Sequence, residues 1–263
     1  MDKLERPVPG VIVPLDGSAH ARRALDPAVR AAQALGCFIE LVTIYDQVRG
    51  RWARDLDDIA DSLPFDDVEV AVVGSGWPGE VLAEMAREKP GTLICMATQD
   101  QDHLQRLALG SVSTYLMRVL DEPVLFVGPG CSPTPGRADF DELVVCVDDS
   151  ARAAAAVRVA AVWAARLGID VTLVHITAES GRRRPMEATL DTYVAQLVAE
   201  GTSATALVLV SDEPADTLSD LLRSRRGAVA LTVSQGRGNL TRLLLGSFTS
   251  QLLARSPVPV LVA

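Results

Sequence analysis

Short aliphatic and β-branched runs alternate with longer amphipathic stretches along the chain, and the whole alternation occurs twice. VIVPLDGS (11–18) and LVVCVDDS (143–150) each hold a strand-length apolar run leading to an aspartate, Asp16 or Asp148. Unbroken apolar runs of this length suit strands buried on both faces. A helical stretch follows in each copy, 18–36 and 150–168. Both open on a serine, a good N-cap, and stop at a glycine, Gly36 or Gly168, suited to a left-handed helix end. Second strands at 38–44 and 170–176 keep the same offset of 132. Then the register shifts. VEVAVVGSGWPGEVL (68–82) aligns with ATALVLVSDEPADTL (204–218) at offset 136, so four extra residues fall between 177 and 203, in a longer helix. Helices at about 78–88 and 214–225 lead to fourth strands at 92–97 and 228–233. Last strands at 123–127 and 259–262 end the copies.

Each half thus reads β-α-β-α-β-α-β-α-β, the pattern of a parallel sheet built by right-handed crossovers. The expected fold is α/β: two tandem Rossmann-like domains, each a five-stranded parallel sheet with helices on both faces. The Pro- and Gly-rich stretch GPGCSPTPGRADF (128–140) reads as the junction. The domains are expected at 1–130 and 141–263, with 131–140 as linker.

Composition narrows the function classes. Of 263 residues, 48% are apolar and only 4% aromatic, so the core must come from Val, Leu, Ile and Ala. A formal charge of −9 argues against nucleic-acid or anionic-membrane binding. The basic run Arg182-Arg183-Arg184 reads as a solvated loop or helix start, with an anion patch as the alternative. No apolar run approaches the ~18–20 residues of a membrane span, and MDKLERPVPG lacks the apolar segment of a signal peptide. The expectation is a cytoplasmic protein. Its cysteines show no CxxC spacing: Cys37, Cys95 and Cys146 belong to apolar runs and should be buried, while Cys131 in the linker should be exposed. His20, His103 and His175 show no metal-ligand spacing.

In open parallel sheets, ligands sit beyond the carboxyl ends of the strands. The loops after the fourth strands are TQDQDHLQRLALGS (98–111) and SQGRGNLTRLLLGS (234–247), aligned without a gap at offset 136. Gly236 and Gly238 of the second copy face Asp100 and Asp102 of the first. Glycines allow a backbone to approach phosphate closely, and Gly246-Ser247 then opens a helix whose free N–H groups favour an anion. Arg237 and Arg242 add positive charge. In the first copy a polyphosphate would meet two carboxylates, so that site is expected not to bind. GSGWPG (74–79) spells a dinucleotide fingerprint, yet it follows the third strand and its partner SDEPAD (211–216) has no glycine. The copies share only Pro78 and Pro214, which fit a helix start.

On these residues the whole chain resembles a tandem universal stress protein. Nucleotide-binding members of that family carry G-x2-G-x9-G-[ST] after the fourth strand and an Asp ending the first. The second copy matches the motif's later glycines as Gly236 and Gly246 and its serine as Ser247, with Val233 at the first glycine. The resemblance implies an adenine nucleotide alpha hydrolase-like fold in both domains, related by a pseudo-two-fold with fifth strand against fifth strand. It implies that Asp148 faces the nucleoside, that backbone near Ile176 meets adenine, and that Val233, Gly236, Arg237, Gly238, Gly246 and Ser247 surround the ribose and phosphates. The cofactor implied is ATP, with or without Mg2+, in the second domain only, acting as a stress-response switch. A homodimer and an unidentified protein partner are the implied associations. Two alternatives stay open: a non-nucleotide dimerisation scaffold, and a weak ATPase. No general base or metal pair is evident in the sequence, so the expectation leans away from an enzyme.

Overall fold

The computed structural model describes residues 10–44, 52–98, 109–131, 139–150, 152–233 and 246–263. The first half contains strands β1 (Gly10–Pro14), β2 (Phe38–Ile44), β3 (Val68–Val73), β4 (Leu93–Ala97) and β5 (Val124–Val127). Its helices are α1 (Leu25–Leu35), α2 (Trp52–Ser62), α3 (Pro78–Glu88) and α4 (Ser111–Val119). The second half repeats the order with β6 (Glu142–Cys146), α5 (Ala153–Leu167), β7 (Asp170–Thr177), α6 (Arg183–Ala199) and β8 (Ala204–Val210). It continues through α7 (Pro214–Arg223), β9 (Ala228–Thr232), α8 (Ser247–Arg255) and β10 (Val260–Val262).

All ten strands form one sheet in the order β3-β2-β1-β4-β5-β10-β9-β6-β7-β8. The second half runs the same internal order in reverse. Neighbours are parallel except at the centre, where β5 and β10 pair antiparallel, Val124 against Val262 and Phe126 against Val260. Two apolar fifth strands, each an exposed edge in isolation, thereby cover one another. The strands alternate as their sequences require: Val11 and Val13 face the layer of α1, α2, α5 and α6, while Ile12 faces α3, α4, α7 and α8.

Two expectations need correction. Neither Ser18 nor Ser150 caps an α-helix. The Ser18 hydroxyl accepts from the Ala21 N–H at 3.0 Å and holds a 3-10 turn over Ala21–Ala24. α1 begins only at Leu25, which keeps Pro27 within the first turn, where a missing N–H costs nothing. Ser150 is drawn into the turn after β6, and α5 starts at Ala153. Cys131 is buried rather than exposed. The reason is Arg23, whose Nη2 donates to the carbonyls of Gly128, Pro129 and Cys131 at 3.0, 2.6 and 2.9 Å and folds the chain back after β5. Arg30 holds the far end, donating to the Asp139 carbonyl at 3.0 Å and lying 4.1 Å from the centre of the Phe140 ring.

Candidate functional site in the second half

A cavity of about 410 Å³ opens at the carboxyl ends of β6, β7 and β9. That lies within the range of small-molecule sites, about 300–1,000 Å³. The topology places it there. β6 and β7 are neighbours, β9 lies on the other side of β6, and the chain leaves all three at the same sheet edge.

Four of the expected site residues line this cavity: Asp148, Ile176, Val233 and Gly246. Asp148 follows β6, and its Oδ1 accepts from the Ser150 N–H at 3.1 Å and the Ser150 hydroxyl at 2.6 Å. Ile176 is the penultimate residue of β7, paired with Leu209 of β8, and packs toward α7 and α8. Val233 immediately follows β9 and packs on the α5 side. Gly246 is the N-cap of α8, with φ −56° and ψ 151°. Ser247 opens α8 beside it, exposed and outside the cavity wall. The intrahelical ladder begins at Ser250 N–H to Gly246 carbonyl, 3.1 Å. The N–H groups of the first turn are therefore left to a ligand or solvent. Gly236, Arg237 and Gly238, with Arg242, lie outside the described residues, as do Asp100, Asp102 and His103 of the first half.

The structure also shows how residues outside the expected site set meet at this cavity. Asp149 alone would repel an anion, but Arg182 reaches it at 2.6 Å from the turn after β7, and both line the cavity. Arg182 also meets Glu179 at 3.3 Å. The Asp149 carboxylate is thus opposed by a cation, and the loops after β6 and β7 are joined across the mouth. His175, also on the wall, donates from Nδ1 to the Val147 carbonyl at 2.8 Å. A carbonyl can only accept, so a proton is fixed on Nδ1. Deeper, the hydroxyls of Thr232 and Thr249 lie 3.4 Å apart below the start of α8. At the matching offset of 136 the first half has Met96 and Ser113, with the Ser113 hydroxyl 3.7 Å from the Met96 sulfur. A thioether stands there in place of a hydroxyl. The repeat alignment contains this signal, but it acquires meaning only once the two positions are seen to face each other. Among the described residues no three His, Cys, Asp or Glu side chains converge as a metal site. No described helix is long and apolar enough to cross a membrane.

The doubly wound parallel strand order, present in both halves, defines a Rossmann-like class of α/β domain, and in the second half a helix N-terminus opens on its carboxyl-end cavity. The chain belongs to the universal stress protein family, whose sequence model matches residues 10–128 and again 139–263. The universal stress protein Rv1996 of Mycobacterium tuberculosis is 22% identical across 97% of this chain and 94% of its own length. The crystal structure of a universal stress protein from Archaeoglobus fulgidus shares the fold, with TM-score 0.69, 19% identity, and coverage of 97% of this chain and 95% of that one. A shorter Archaeoglobus fulgidus universal stress protein, solved in complex with dAMP, is 27% identical, with TM-score 0.37 over 47% of this chain and 97% of that one.

Proposed function

We propose that this protein is a regulatory universal stress protein that binds one adenine nucleotide, ATP or a close relative, in its second half and none in its first. The units are taken as residues 1–130 and 141–263, with 131–140 as linker. The observation that carries the reading is the cavity bounded by Asp148, Ile176, Val233 and Gly246, with the first turn of α8 opening into it. Its depth is polar where a phosphate chain needs donors, through Thr232 and Thr249, and the Asp149 charge is opposed by Arg182. The motif residues named above favour adenine as the base. In the first half Met96 replaces Thr232, and His20 closes on the Thr98 carbonyl at the end of β4. Nucleotide binding would change a surface that a protein partner or second copy of the chain reads.

Calorimetric titration of ATP into the full chain, with and without Mg2+, tests this. One nucleotide per chain is expected for the wild type and none for Gly236→Asp, which installs the first half's residue. Heats absent from both proteins would favour the scaffold reading and sink this one. Two nucleotides per chain would sink the asymmetry.

A further inference from the structure

We infer that Arg152 sets how the second-half site discriminates phosphate-chain length, pairing with the outer phosphates of a nucleotide di- or triphosphate. The inference rests on the nucleotide reading above. Four charged residues line the cavity: Asp148, Asp149, Arg152 and Arg182. Asp149 and Arg182 are committed to each other at 2.6 Å. Asp148 is turned into its own loop by Ser150. Arg152 is exposed, and among the described residues its guanidinium meets no carboxylate. Its backbone is fixed, because its N–H donates to the Ser150 hydroxyl at 3.2 Å and its carbonyl accepts from Ala155 and Ala156 at 2.9 and 3.0 Å. The site therefore presents an anchored, uncommitted cation on one wall.

The first half shows what this position can reach. Arg152 corresponds to His20 at the offset of 132 that relates β1 to β6. The His20 ring places Nε2 on the Thr98 carbonyl, just past the end of β4. A side chain from the first turn beyond strand one thus reaches the strand-four side. Arginine is longer than histidine, and the matching wall in the second half ends at Val233, beside the cavity. The guanidinium fork is suited to bidentate contact with phosphate. One half ties this position to a backbone carbonyl, while the other leaves a cation for an anion to meet. Arg182, held by two carboxylates, lacks that freedom.

The test compares Kd for ATP, ADP and AMP in the full-length wild type, Arg152→Gln and Arg152→His, at low and high salt. Arg158→Gln, an exposed position on α5 outside the cavity, controls for bulk charge. Arg152→Gln should weaken ATP by about tenfold and AMP by less than about twofold, the scale of one charge-assisted contact. Arg152→His should resemble it, the salt dependence for ATP should flatten in both, and Arg158→Gln should match wild type. Uniform loss across the three nucleotides, or no loss, overturns the inference while leaving the site's nucleotide reading intact. Failure of the wild type to bind any of them overturns both.

Discussion

At the scale of single residues, burial decides which groups titrate where. Burial pushes the Cys131 thiol up to about 11, against the partial relief of the nearby Arg23 and Arg30 cations. Cys37 is likewise raised to about 11, first by burial and then by the Asp67 carboxylate. Cys95 and Cys146 are raised further, Cys95 by burial and its thiol and carboxylate neighbours, Cys146 by burial alone. An acid whose pKa is raised on folding keeps its proton in the native state after the unfolded chain has lost it. Stability from these thiols is thus complete below pH about 9 and declines as pH rises from about 9 to about 11. Urea unfolding of wild type and a Cys37→Ser/Cys131→Ser variant at pH 7.5, 9 and 10 should show a shallower decline in the variant. Equal slopes would mean that these thiols are already ionised in the folded chain. Such burial was only partly legible in the sequence. Cys95 lies in an apolar run that announces it, while Cys37 and Cys146, also expected to be buried, are only half-buried, and Cys131 lies among prolines and glycines and is buried by Arg23, 108 positions away. The same limit hid Arg152 and the pairing of Arg182 with Asp149. Their roles depend on which loops meet at the carboxyl end of the sheet, and local pattern does not encode that.

At the scale of elements, the repeat shows which features the fold requires and which can move. The strands were legible because each is a run of aliphatic side chains that only a sheet interior can absorb, and α3 and α7 because Pro78 and Pro214 mark their starts. The start of α1 was not, because Ser18 and Pro27 give conflicting signals and proline's geometry prevails. At the amino end of the sheet, an ion pair has been kept while its carboxylate has moved. Lys89 and Arg225 are 136 positions apart, each just beyond α3 or α7. Lys89 pairs at 3.1 Å with Glu40 on the second strand of its half, while Arg225 pairs with Glu142 on the first strand of the other. The position matching Glu40 is Thr172, whose hydroxyl donates to the same Glu142 carboxylate at 2.5 Å. Glu142→Gln should cost about 1 kcal/mol, the value of a half-screened charge-assisted bond. Adding Thr172→Glu rebuilds the first half's arrangement and should recover much of that loss in urea melts. If the double variant is no better than the single, the shared location of the pair is not what stabilises it.

At the scale of the whole molecule, the two halves fold as one object even though each has the strand order of a complete unit. The central β5–β10 pairing makes the sheet continuous, and each helical layer's core draws buried residues from both halves. Contacts across the junction leave no slack: a Cβ on Gly128 would lie 1.9 Å from the Leu253 carbonyl oxygen of the other half. Arg166 of α5 reaches Glu122, just before β5, at 3.8 Å. Separating the halves would expose an apolar strand edge on each, which opposes their unfolding one at a time. The expected consequence is a single calorimetric transition. Its van't Hoff enthalpy should match the full calorimetric enthalpy, roughly 180 kcal/mol at about 0.7 kcal/mol per residue near 60 °C. Ligand sharpens the test, because the proposed nucleotide site lies wholly in the second half. ATP at about 100 times its Kd contributes about 2.7 kcal/mol to the native state, which should raise the one transition by roughly 5–10 °C as a unit. A thermogram that splits, with one component moving and the other fixed, would show that the seam does not couple the halves. The first half would then be an independent passenger, and a nucleotide signal could not pass through the sheet to its surface.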